Sequence, residues 1–143
     1  MELNSEIEIN ASPETVWKLL SDTSKFPEWN PFIRRISGEL KVGQKLVVFM
    51  QPSGANGMEF RPAVMKVEPN RELRWLGHLI LPGLFDGEHI FQIESLGEKR
   101  VRFYQREIFS GILVPLLKKS LDVDTRRGFN EMNQKLKELA ESN

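Results

Sequence analysis

The sequence predicts an α+β fold: a curved, seven-stranded antiparallel sheet around one long C-terminal helix, with two short helices after the first strand. Three observations predict it. Residues 33–109 run as short strand-like segments broken by Gly, Pro and Asn turns, the pattern of an antiparallel meander. Residues 111–139 switch to a helical period, with Leu113, Leu117, Leu121, Met132, Leu136 and Leu139 set among Lys, Glu, Arg and Asn. Finally, 143 residues with 40% hydrophobic and 28% charged side chains have the size and balance of one globular domain, expected over residues 1–143.

Each element has its own signal. Leu3, Ser5, Ile7 and Ile9 alternate with Asn4, Glu6, Glu8 and Asn10, a half-buried first strand. Ser12-Pro13-Glu14-Thr15 opens a helix, with Ser12 as cap and Pro13 in the first turn, and Val16, Trp17, Leu19 and Leu20 as its apolar face. Residues 25–32 carry two prolines and three aromatics, a short helix or turn packed on the core; Trp29 and Asn30 are read as an anchor and a residue bonded to nearby backbone, or alternatively as a lid at a pocket mouth. Strands follow over 33–40, 45–51, 58–68, 73–81, 85–96 and 99–109, with turns at Lys41-Val42-Gly43, 52–57, Pro69-Asn70-Arg71, Pro82-Gly83 and Gly97-Glu98. Pro115 falls near the start of the last helix, where a missing amide proton costs least.

Composition narrows the function. Twenty Lys+Arg balance twenty Asp+Glu, so no net field draws the chain to nucleic acid or an anionic surface. There is no cysteine, which removes disulfides, thiolate chemistry and Cys-based zinc sites, and two histidines make a His-rich metal site unexpected. No apolar run reaches the ~20 residues of a membrane span, and the acidic, alternating N-terminus is unlike a signal peptide. The expectation is a cytoplasmic protein, monomeric, without metal or cofactor, that neither binds nucleic acid nor inserts into a membrane.

The order of elements, with Pro27-Glu28-Trp29-Asn30-Pro31-Phe32, Leu73-x-Trp75-x-Gly77, Gly87-x-His89-x-Phe91 and Glu107-x-Phe109-x-Gly111, resembles the START and polyketide-cyclase (SRPBCC) superfamily over essentially the whole chain. The resemblance implies a helix-grip fold with an apolar cavity between sheet and helix. It does not choose among the superfamily's carriers, receptors, cyclases and chaperone cofactors.

Strand parity points to the residues that face such a cavity. Val101, Phe103, Gln105, Glu107 and Phe109 share one face, opposite Arg100, Arg102, Tyr104 and Arg106. Gly87, His89, Phe91 and Ile93 share a second inward face, and Leu73, Trp75, Gly77 and Leu79 a third. His89, Gln105 and Glu107 thus meet on the concave side, on strands joined by a tight turn. Cross-strand neighbours lie about 5 Å apart, so His89 can touch one of the other two. His89 and Glu107 are the candidate catalytic acid–base pair; the alternative is that the three polar groups orient a ligand or satisfy one another. Trp75, Phe60, Phe91, Phe103 and Phe109 are core aromatics that also serve as pocket lining. On the helix, Thr125 and Gly128 replace large side chains, leaving either a cavity wall or a gap filled by an aromatic.

Three functions compete. The first is a container for a small, mostly apolar, lipid- or polyketide-like molecule, oriented by His89, Gln105 and Glu107. The second is a cyclase- or aromatase-like enzyme using His89 and Glu107 for proton transfer, although Arg102, Arg106 and Tyr104 face outward. The third is a protein-interaction module with a vestigial cavity.

Overall fold

The computed structural model describes residues 1–79 and 81–143. The chain begins with β1 (Glu2–Ile9), α1 (Pro13–Ser21), a 3-10 turn (Thr23–Lys25) and α2 (Phe26–Trp29). Six further strands follow as β2 (Ile33–Ser37), β3 (Val47–Met50), β4 (Met58–Phe60), β5 (Ala63–Glu68), β6 (Glu72–Leu79) and β7 (Phe85–Gly97), then β8 (Arg100–Ser110). A C-terminal helix comprises α3 (Val114–Ser120), a π turn (Leu121–Thr125) and α4 (Arg126–Glu141). Of the strand expected over 73–81, Ile80 lies outside the described residues.

The α+β class and the long C-terminal helix match expectation, but the seven-stranded sheet is corrected. Among the described residues, eight strands form two antiparallel sheets, ordered β1-β8-β7-β6-β5 and β2-β3-β4. The expected strand over 58–68 divides at Arg61-Pro62, and its halves join different sheets. Pro62 has no amide proton to place in a ladder. Its carbonyl instead accepts Leu46 N–H at 2.8 Å, while Val64 N–H donates to Gln44 O at 2.9 Å, so this corner stitches the sheets together.

Local chemistry explains the entry segment. Ser12 Oγ caps α1 by accepting Thr15 N–H at 3.1 Å, with Pro13 in the first turn. Asn30, buried after α2, accepts both Phe32 N–H at 3.0 Å and Ile33 N–H at 2.8 Å through Oδ1. That turn delivers Phe32 to the helix. Its ring covers Gly128 so closely that a Cβ there would lie 2.3 Å from Phe32 Cδ1. The gap in the helix stripe at Gly128 is therefore filled by an aromatic.

Five alternate residues of β8, Val101, Phe103, Gln105, Glu107 and Phe109, are all buried, as parity requires. They close the core against Phe129, Met132 and Leu136 of α4. The first half of the helix departs from the expected stripe: Leu117 is 38% exposed and Leu116 81%. The π turn adds a residue to one turn, so the apolar phase of α4 does not continue into α3. No helix among the described residues is long and apolar enough to cross a membrane.

Candidate functional site

Between the strands β7 and β8, the β3–β4 hairpin and the π turn lies a pocket of about 470 Å³. Each wall has a sequence origin. Phe85 and His89 come from the inward parity of β7, Glu107 and Phe109 from that of β8. Phe32 enters through the Asn30 turn. Met50, the 52–56 loop, Met58 and Phe60 form the wall opposite β8, and Ser120, Leu121, Asp124 and Thr125 come from the helix. Thr125 is thus at the pocket because the π turn sets it there.

The pocket's inner end is polar. His89 is 1% exposed and stands opposite Glu107 in the β7–β8 register, while Phe91 stands opposite Gln105. The imidazole reaches both partners: Nδ1 lies 2.8 Å from Glu107 Oε2, and Nε2 lies 2.9 Å from Gln105 Oε1. The first contact is close but bent out of hydrogen-bond alignment, and neither atom has a hydrogen-bond partner among the described residues. The ring is held by aromatics on several sides, with Trp75 at 5.3 Å, Phe91 at 4.5 Å and Phe129 at 5.5 Å between centroids.

The polar chain continues away from the pocket. Gln105 Nε2 donates to Asn133 Oδ1 at 2.8 Å, and Asn133 Nδ2 donates to Ser5 Oγ at 2.9 Å. Buried amides bonded through both oxygen and nitrogen in this way fix side-chain orientation.

Of the ten residues singled out for ligand contact, Phe60, His89, Glu107, Phe109 and Thr125 line the large pocket. Trp75 borders a recess of about 30 Å³ that shares Phe60, Glu107 and Phe109 with it. Phe91, Phe103 and Gln105 lie behind the lining in the core, with Phe91 and Phe103 stacked 6.1 Å apart, and Gly128 lies beneath Phe32. Sequence reasoning missed Phe32, Met50, Phe85 and Asp124 at the pocket, and Asn133 and Ser5 in the chain. Two of these had signals: Ser5 is the one polar residue on the apolar face of β1, and Asn133 follows Met132 within the helix stripe.

A sheet gripping a long helix, with a ligand-sized pocket between them, defines the class as a START-like, helix-grip domain. The family model described as "Polyketide cyclase / dehydrase and lipid transport" matches residues 1–141, and the chain belongs to that family. No protein of curated description matches it. Among solved structures, a START superfamily protein from Mycobacterium smegmatis is similar at 19% identity and TM-score 0.71, with 96% of this chain and 98% of that one covered. The hypothetical protein jhp0584 from Helicobacter pylori is similar at 20% identity and TM-score 0.78, covering 98% of this chain and 88% of that one. The di-domain ARO/CYC StfQ from the steffimycin biosynthetic pathway is similar at 14% identity and TM-score 0.78; the match covers 99% of this chain but 51% of StfQ, about half its length.

Proposed function

We propose that this protein binds a small, mostly apolar molecule, lipid- or polyketide-like, in the pocket between sheet and C-terminal helix. One observation carries the reading. A pocket of about 470 Å³ has apolar walls, including Phe32, Met50, Phe85 and Phe109, that converge on a single buried polar pair, His89 and Glu107. Ligand sites are typically about 300–1,000 Å³, mostly apolar, with few placed polar groups. Family membership, under a description that names lipid transport, supports the same reading. Native mass spectrometry with solvent extraction, on protein purified from its own host, tests it. Retention of an apolar molecule is the expected result. An empty protein that also ignores fatty acids, sterols and aromatic polyketides would overturn it.

A second reading is favoured by the bent His89–Glu107 contact, an acid–base pair within reach of a bound molecule. In a cyclase-like reaction His89 and Glu107 pass a proton to and from a carbonyl-bearing substrate, as the ARO/CYC name of StfQ suggests for a protein of this fold. His89→Ala or Glu107→Gln then abolishes turnover while affinity changes little. If turnover persists in both variants, the pair has no catalytic part.

A further inference from the structure

The hydrogen bonds behind the pocket run in one direction only. Ser5 Oγ lies 2.9 Å from the backbone oxygen of Gln105, an atom that can only accept, so the single hydroxyl proton of Ser5 is committed there. Ser5 Oγ must then accept from Asn133 Nδ2, and Asn133 Oδ1 from Gln105 Nε2. Gln105 Oε1 is left to accept from His89 Nε2. The amide orientations and the imidazole proton follow from a carbonyl on β8. His89 carries a proton on Nε2 in every arrangement.

Its other nitrogen faces Glu107 Oε2 at 2.8 Å. Two bare acceptors repel at that distance even when misaligned, so one of the two atoms carries a proton. Either the pair is imidazolium and carboxylate, or it is neutral imidazole and a carboxylic acid protonated on Oε2. In both cases Glu107 Oε1 bears no proton and is an acceptor. Oε1 stands over Gly87, where a Cβ would come within 2.8 Å of it.

The rest of the pocket offers no compensating cation. No Lys or Arg lines it among the described residues, and its other acid is Asp124. Arg127 is occupied, donating to Asp124 Oδ1 at 3.0 Å and to Ser53 O at 2.9 Å. An anion buried against Oε1 would be unpaired, at a cost that ordinary apolar contacts do not offset.

We infer that the pocket takes ligands whose polar end is an uncharged hydroxyl donor, a phenol or an alcohol, seated on Glu107 Oε1, and disfavours carboxylates. This rests on the container reading and names the class of molecule contained. The test uses two skeletons, naphthyl (2-naphthol, 2-naphthoate, naphthalene) and dodecyl (dodecanol, dodecanoate), titrated at pH 7 by calorimetry and Trp fluorescence. On each skeleton the hydroxyl compound is expected to bind at least about tenfold more tightly than the carboxylate, and 2-naphthol more tightly than naphthalene. Glu107→Met is expected to remove the preference for naphthol over naphthalene. Equal or tighter binding of the carboxylates would overturn the ligand class while leaving the container standing; failure of every compound to bind would overturn both. Nitrogen-15 NMR of wild-type protein, with His78→Gln for assignment, checks the chain without a variant that disturbs it. A proton on His89 Nε2 is expected, and a bare Nε2 would overturn the direction derived from Ser5.

Discussion

Replacing Gly128 with alanine separates two opposed effects. In an exposed helix interior the change stabilises by about 1 kcal/mol, because alanine has less backbone freedom to lose. Here the new Cβ would stand 2.3 Å from Phe32 Cδ1, 2.6 Å from Cε1 and 2.8 Å from Cγ. Ordinary carbon contacts need about 3.5 Å or more, so the ring must move by over an ångström. Phe129, 5.8 Å away edge-on, and the His89 ring, 6.4 Å away, limit that movement on two sides. The open side is the pocket, which Phe32 lines. Overpacking of a closed core costs about 1–3 kcal/mol. With the pocket as relief and the helix gain subtracted, Gly128→Ala should destabilise by about 1 kcal/mol, a few degrees in Tm for a domain of this size. The displaced ring also takes pocket volume, so affinity for a naphthyl ligand should fall about tenfold. Urea denaturation and ligand titration measure the two effects. Adding Phe32→Leu should restore stability relative to that substitution alone, a coupling visible in a double-mutant cycle. A Gly128→Ala protein about 1 kcal/mol more stable than wild type, with unchanged binding, would refute the placement of Phe32 on Gly128.

Two further outcomes follow from close contacts elsewhere. Gly87→Ala puts a Cβ 2.8 Å from Glu107 Oε1, the movable end of a side chain; stability should change by less than about 1 kcal/mol, whereas binding of 2-naphthol falls about tenfold, and unchanged binding would remove Oε1 from the ligand contact. On the outer face, burial alone would raise the Glu72 carboxyl, but hydrogen bonds from Gln92 and Arg74 and the charges of Arg74 and Lys66 together hold it below its ordinary value of 4.5. A carboxyl lowered on folding contributes stability above its unfolded value and loses it as pH falls through the folded one. Glu72→Gln should therefore cost about 1 kcal/mol at pH 7, and the difference from wild type should shrink as pH falls below the ordinary carboxyl value of 4.5 and through the lower folded one, in chemical denaturation at a series of pH values.

Parity made much of the site readable. Gln105 and Glu107 had to face inward because Arg100, Arg102, Tyr104 and Arg106 could not, and His89 because Glu88, Gln92 and Glu94 take the other face of its strand; period two leaves no third choice. Parity alone did not show that His89 holds both partners, because that depends on the β7–β8 register. The pocket walls from Phe32, Met50 and Asp124 come from chain segments whose path is set by a turn, a sheet corner and a π turn, none of which has a strong periodic signal. Pro62 was the readable sign that residues 58–68 could not be one ladder strand. Leu117 misled for a different reason: its spacing from Leu121 is regular, but the helix between them and α4 is not.

The π turn at Leu121–Thr125 amounts to one surplus residue, and its consequence concerns chain length rather than side chains. Deleting any one residue there would return the helix to regular winding and leave α3 in nearly its present phase relative to α4, because the wide turn spreads five residues over about the rotation that regular winding gives to four. Ser120 would stay at the pocket and Leu116 and Leu117 would keep their faces, with only the turn itself tightened. In this architecture a single-codon deletion can reshape the pocket wall at Leu121–Thr125 and leave the rest of the helix in place, a change that in most helices would ruin the core.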